Sequence, residues 1–236
     1  FNFEYFIELK KYCKKKKIEF LCSAFDLDSL HFLDKIGVNK FKIPSGEIDN
    51  IPYLKQIRDY KKEIILSTGM SSLKEVGNAL DILIQSGTSK KNISVLHANT
   101  MYPTPMEDVN LRAMKTIADF YKVKFGYSDH TLGIEVDIAA VAMGASIIEK
   151  HFILDRNDKG PDSEFSINPA ELKSLCKETK DAWLSLGVAG YERKPAEEDN
   201  IKFRRSVYFV KDIGAGDVVT KQHIRRIRPG FGLSPK

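Results

Sequence analysis

Apolar residues follow two rhythms along this chain, and the switch between them defines its elements. Six short β-rich runs stand out: Glu19–Cys22, Lys40–Ile43, Glu63–Leu66, Ile93–Leu96, Val123–Gly126 and Ser146–Glu149. Each is followed by a polar turn and then a stretch with apolar residues three and four apart, such as Leu73, Val76, Leu80, Leu83 and Ile84. Near-continuous apolar runs of this length predict strands covered on both faces, and the spaced pattern predicts amphipathic helices. Their alternation every 20 to 30 residues or so predicts parallel βα units.

Such units build either a closed eight-stranded barrel or an open doubly wound sheet. The polar residues decide between them. Every predicted strand runs into small or reactive polar side chains: Ser23 and Asp26; Ser45 and Glu47; Ser67 and Thr68; His97, Asn99 and Thr100; Ser128, Asp129 and His130; Glu149, Lys150 and His151. A barrel gathers all its strand C-termini around one mouth, whereas an open sheet uses mainly its switch point. The expectation is therefore an α/β chain forming a (β/α)8 TIM barrel over residues 1–188. The six runs would be its strands three to eight, with two βα units expected upstream of Phe1. Beyond it, residues 189–204, with Gly190 and a charged stretch to Asn200, read as a linker. A strand at Arg205–Val210 and the Gly-Ala-Gly turn at 214–216 then open a second small domain over 205–236. That stretch is short for a core of its own.

Composition narrows the function classes. Apolar residues make up 42% and charged residues 29%, as in ordinary globular proteins. No apolar run reaches the roughly 18 to 20 residues a bilayer span needs, so no membrane role is expected. Three cysteines without CxxC spacing read as reduced thiols and place the protein in a cytoplasm. The net charge of +5 owes much to Lys10, Lys11 and Lys14 to Lys17, a solvated helix face. Without aromatic interleaving or a recognition motif it does not point to nucleic acid, though it could draw anionic substrates.

Candidate chemistry concentrates at the strand ends. His130 and His151 close two successive predicted strands. Neighbouring strands lie about 4.8 Å apart, so the two imidazoles could share a divalent ion and leave coordination positions open. The plainer alternative is two polar side chains capping strands; matching positions, each beside a carboxylate, favour the ligand reading. Lys42, inside an apolar strand, either snorkels or faces an anion. Hydroxyls at Ser45, Ser67, Thr68 and Ser128 would suit a phosphate or carboxylate there. Glu47 and Glu149 are either acid/base groups or salt-bridge partners of Lys42 or Lys150. Cys22 reads as packing, and His31 and His223 as surface residues.

At these motifs the chain resembles the sialic acid synthase family, the N-acetylneuraminate, legionaminate and pseudaminate synthases. The resemblance is carried by Phe41-Lys-Ile-Pro-Ser-Gly-Glu47, Leu66-Ser-Thr-Gly-Met70, Leu96-His-Ala-Asn-Thr-Met-Tyr-Pro-Thr-Pro105, Gly126-Tyr-Ser-Asp-His130, Ile148-Glu-Lys-His-Phe152 and Gly160-Pro-Asp162. They recur in family order over nearly the whole chain. The tail from Arg204 to Pro229 is similar to the start of the antifreeze-like (SAF) domain of these enzymes.

The resemblance implies roles by position. His130 and His151 would bind a divalent metal, typically manganese, with magnesium or cobalt as alternatives. Lys42, Ser45, Ser67 and Ser128 would hold phosphoenolpyruvate, with Ser23 where the family usually has threonine. Asn99 and Thr100 would also contact substrate, Thr100 occupying a position where some members use asparagine. Tyr102 and Asp162 would contact the amino sugar, Glu47 and Glu149 would line the reacting centre, and Arg228 would cross the interface of a domain-swapped homodimer. The implied reaction condenses phosphoenolpyruvate with N-acetylmannosamine or a 6-deoxy diacetamido hexose, giving a nonulosonic acid and phosphate. Lys42-Ile-Pro-Ser45 and Ser67-Thr-Gly-Met70 lean to the neuraminate and legionaminate branch, and residues 161–166 and 228–236 to the pseudaminate branch. Without the family's first two strands, these 236 residues are expected to be inactive alone. Two rivals stand beside this reading. An aldol synthase for a phosphorylated pentose would need a second basic cluster, which no strand end supplies. A non-catalytic sugar-binding barrel of polysaccharide assembly would not need both histidines.

Overall fold

The computed structural model describes residues 2–85 and 88–236. It divides into two compact units, 1–187 and 188–236. In the first, helices α1 (Phe3–Lys16) and α2 (Leu27–Lys35) precede strand β1 (Lys40–Ile43). The βα alternation then runs α3 (Ile51–Asp59), β2 (Glu63–Ser67), α4 (Leu73–Ile84), β3 (Ile93–Ala98), α5 (Arg112–Tyr121), β4 (Lys124–Asp129), α6 (Glu135–Ala142), β5 (Ile148–Lys150) and α7 (Pro169–Leu186). The five strands pair in parallel in the order β1-β2-β3-β4-β5. Consecutive parallel pairing with a helix between strands is the arrangement of a (β/α)8 barrel, of which this sheet forms an arc.

Strand periodicity splits the sheet into two chemical faces. Phe41, Ile43, Ile64, Leu66, Ile93 and Val95 are buried among apolar residues of α2, α3 and α4, including Leu30, Leu54, Leu80 and Leu83. Each such side chain contributes roughly 1.5 to 3 kcal/mol by leaving water. Successive strand side chains point to opposite faces, so the alternate residues Lys42, Ser67, Ser128 and Glu149 face away from the helices. Local signals set the helix starts. Ser72 and Glu75 form a capping box at α4, and Asn168 and Glu171 form another at α7, where Pro169 takes the first helical position.

Two features depart from the sequence expectation. The predicted strand at Glu19–Cys22 forms no ladder; its neighbourhood contributes one parallel bridge, Ser23 to Lys42, and the Glu19–Lys40 ion pair at 2.6 Å. An edge segment gains ladder bonds from one side only, and here that pairing reaches no further than one bridge. The strands at β2, β3 and β4, in turn, run past their predicted ends. Ser67 pairs with Leu96, His97 with Tyr127 and Ala98 with Ser128. Side-chain polarity reports what a side chain meets, whereas the ladder is made by backbone groups that polar residues also possess.

The second unit holds a 3-10 segment at Pro195–Phe203, within the stretch read as a linker, and an antiparallel pair, β6 (Ser206–Phe209) with β7 (Ile224–Ile227). Among its described residues only Ser206 is buried, its Oγ accepting from the Gly232 amide at 2.9 Å. Arg228 follows β7 and is exposed.

Candidate active site

The register between β4 and β5 organises the rim. Ser128 stands opposite Glu149 and Asp129 opposite Lys150, so His130 and His151 come next on adjacent strands. Their ring centroids are 5.4 Å apart. His130 Nδ1 lies 2.6 Å from the carbonyl oxygen of Asn99. A carbonyl can only accept, so Nδ1 carries the proton and, in the neutral ring, Nε2 is left as a bare donor atom for a metal. Burial, followed by the nearby His151, holds the His130 pKa below the ordinary imidazole value, which favours that neutral form. His151 Nδ1 lies 3.4 Å from Asp162 Oδ2, which orients the second ring.

These two imidazoles fit a divalent ion that draws its remaining ligands from substrate and water. Among the described residues no group of three His, Cys, Asp or Glu side chains could hold one by itself. Such an ion would be weakly held and open on several sides, as a catalytic rather than a structural metal is.

Beside the histidines, Lys42 and a group of hydroxyls gather on one face of the sheet. Lys42, its side chain 8% exposed, meets Glu149 Oε1 at 3.1 Å, and Ser128 donates to the same oxygen at 2.7 Å. The salt-bridge alternative for Glu149 is thus realised with Lys42; Lys150 pairs elsewhere. Ser67 is buried on the same sheet face, and its hydroxyl has no protein partner. An unpartnered buried hydroxyl is costly unless something else satisfies it, and the Ser67 hydroxyl is free to bond to a ligand or a water molecule. Ser45 Oγ accepts from the Gly69 amide at 2.8 Å. Gly69 tolerates no side chain, since a Cβ there would lie 2.5 Å from Thr100 Cγ2 and 2.9 Å from Ser45 Oγ, so Ser45, Gly69 and Thr100 form one close-packed loop junction. Ser23 joins Lys42 through the parallel bridge.

An aromatic wall completes the rim. Tyr102 lies 4.3 Å from His130, between ring centroids, and Phe165 lies 4.9 Å from His151 and 5.5 Å from Tyr102. Burial, then Asp162 and Glu149, push the Tyr102 phenol above its usual pKa. The sequence reading missed Phe165, although it lies inside a quoted motif region; an aromatic in a long loop gives no periodic signal.

Two predicted side chains, Glu47 and Asn99, take other partners. Glu47 Oε2 accepts from the Asn50 amide at 2.6 Å, tying its loop to the start of α3. Asn99 spends its side chain on its own loop, donating to Asp108 O at 3.2 Å and accepting from Met101 N at 2.9 Å. Its backbone carbonyl, not its amide, reaches the site. Arg228 belongs to the second unit.

Residues 1–191 match the model of the NeuB family. The chain is 45% identical over 228 residues to the N,N'-diacetyllegionaminic acid synthase of Campylobacter jejuni, an alignment spanning 96% of this chain and 68% of that protein. It is 33% identical to the pseudaminic acid synthase of Helicobacter pylori, over 99% of this chain and 68% of the relative. The solved N-acetylneuraminic acid synthetase of Leptospira borgpetersenii, in complex with citrate, superposes with a TM-score of 0.80 at 38% identity, covering 86% of this chain and 70% of the other. The motifs, the parallel βα arc and these matches agree, and the chain belongs to the NeuB family.

Proposed function

We propose that this protein condenses phosphoenolpyruvate with a 6-deoxy diacetamido hexose, giving a legionaminic-type nonulosonic acid and phosphate. The observation that carries the reading is the juxtaposition of the Lys42–Glu149–Ser128 cluster, in which Lys42 and Ser128 are buried, with the His130–His151 pair on one rim. The choice of acceptor is supported by the higher identity to a diacetyllegionaminic acid synthase, 45% against 33% for a pseudaminic acid synthase. N-acetylmannosamine is the alternative acceptor.

Lys42 and the hydroxyls of Ser67, Ser45, Ser128 and Ser23 hold the carboxylate and phosphate of phosphoenolpyruvate, the ammonium offsetting part of the charge of two anionic groups. Tyr102, Asp162 and Phe165 orient the amino sugar, the rings covering its apolar faces and acetamido methyls. Carbon 3 of phosphoenolpyruvate then bonds to the aldehyde carbon of the open-chain sugar. Water adds to the cation left at carbon 2, one of its protons ending on the alkoxide formed from the aldehyde. The carbon–oxygen bond to phosphate then breaks as the remaining hydroxyl becomes the ketone and its proton leaves with the phosphate. Glu149, half-exposed and next to both Lys42 and Ser128, takes the proton of that water, and Glu47 closes the loop behind it. A divalent ion at His130 and His151, manganese or in its place magnesium or cobalt, would supply Lewis-acid polarisation of the aldehyde oxygen.

The three free cysteines accord with a reducing cytoplasm. Among the described residues no helix is long and apolar enough to cross a membrane. A homodimer exchanging Arg228 between subunits, with residues 205–236 as the start of an antifreeze-like domain, completes the reading.

The test is phosphate release by the full-length protein from phosphoenolpyruvate with each candidate sugar, in manganese and in chelator. Metal-dependent release with a diacetamido hexose is expected. Sugar binding without phosphate release under any condition would sink the proposal in favour of a non-catalytic sugar-binding barrel.

A further inference from the structure

The residues before the two histidines form a buried ionic cluster that the reaction itself does not use. Lys150 immediately precedes His151 and is the register partner of Asp129, which immediately precedes His130. The Lys150 ammonium touches Asp129 Oδ2, donates to the Thr131 carbonyl at 2.9 Å and lies 3.5 Å from Asp137 Oδ2 on α6. Its side chain is 3% exposed and both carboxylates are fully buried. Asp129 in turn accepts from Thr131 N at 2.9 Å and from Thr131 Oγ1 at 3.1 Å, wrapping the backbone around His130. His130 thus sits between two residues that are both bound by the residue next to His151.

We infer that Lys150 is a positioning residue: its ammonium, bound to Asp129, Thr131 and Asp137, fixes the separation and aim of the two imidazoles and so sets how tightly they hold a metal. The inference rests on the reading of His130 and His151 as a metal pair. Two side-chain ligands bind an ion well only if their spacing is set beforehand, because no third protein ligand among the described residues corrects an error. Two parallel strands joined by backbone bonds still allow their last residues to splay. An ionic lock one residue before each ligand removes that freedom.

The experiment is manganese binding to the protein, by titration calorimetry and by the electron paramagnetic resonance signal of Mn2+, with urea unfolding measured alongside. Lys150→Met is expected to weaken binding about tenfold or more while the variant remains folded at the assay temperature. Because that variant strands a buried carboxylate, the neutral pair Asp129→Asn/Lys150→Met is measured as well and is expected to show the same loss with smaller damage to stability. His130→Ala serves as the control and is expected to lose the site. Wild-type affinity, within twofold, in either folded variant would overturn the inference while leaving the metal pair intact. Failure of both variants to fold would make the cluster a fold determinant and overturn it too. Undiminished binding by His130→Ala would overturn the metal reading, and the inference with it.

Discussion

Asp137→Asn isolates a surplus buried carboxylate. Asp129 and Asp137 share one ammonium, that of Lys150, and all three side chains are buried. Neither Asp137 oxygen has a hydrogen-bond partner, whereas Asp129 holds Lys150 and Thr131. Burial first, and the charge of Asp129 second, push the Asp137 carboxyl up to about 8 against the pull of Lys150. In an unfolded chain the same group titrates near 3.9. Between these values the folded state keeps a proton that the unfolded state has released. Stability from this group is therefore full below about pH 4 and is lost as pH rises towards the folded value. The limiting slope is about 1.4 kcal/mol per pH unit for one proton. Asparagine is a neutral isostere of the protonated acid and carries no such slope. Urea unfolding from pH 5 to pH 8 should find the stability of the variant relative to the wild type rising by about 2 to 4 kcal/mol across that range. Taking the difference between them cancels the histidines, which titrate in both. Parallel stability curves, with a relative slope below about 0.3 kcal/mol per pH unit, would refute the assignment of a protonated Asp137.

Two further expectations concern the site and the sheet. Lys42→Met removes the buried ammonium but leaves Glu149 with Ser128 and partial access to water, so stability should fall modestly while kcat/KM for phosphoenolpyruvate falls at least about a hundredfold; a loss under threefold would remove Lys42 from substrate binding. Gly126→Ala places a methyl against the Ile147 carbonyl and 2.7 Å from Leu96 Cδ2 where β4 packs, and should cost about 1 to 3 kcal/mol in urea unfolding; an unchanged midpoint would show that the strand yields more than its backbone contacts allow.

Much of the fold was legible because strand and helix periods differ and the family motifs fall where strands end. Five of the six predicted strands exist, and their order along the chain is their order in the sheet. A βα chain leaves few other choices, since each helix returns the chain to the adjacent parallel position. The histidine pair was legible for the same reason: two strand ends on neighbouring strands must be close. The buried acid of α6 also left a trace, for Asp137 lies three and four residues before the buried Ala140 and Val141, on the stripe where an apolar residue belongs.

What sequence could not supply is which of several compatible partners each polar group takes. Glu149 could have paired with Lys42 or with Lys150. Strand alternation puts Lys42 and Glu149 on one face and Lys150 on the other, and only the register places Lys150 against Asp129. Glu47 and Asn99 carry functional residue types, yet hydrogen bonds within their own loops take up their side chains. Phe165 reaches the histidines from a loop in which no period announces it. Periodicity is a property of the local backbone and is written in the chain. The choice among charged and hydrogen-bonding partners is made by distance and burial, which exist only once the strands have paired.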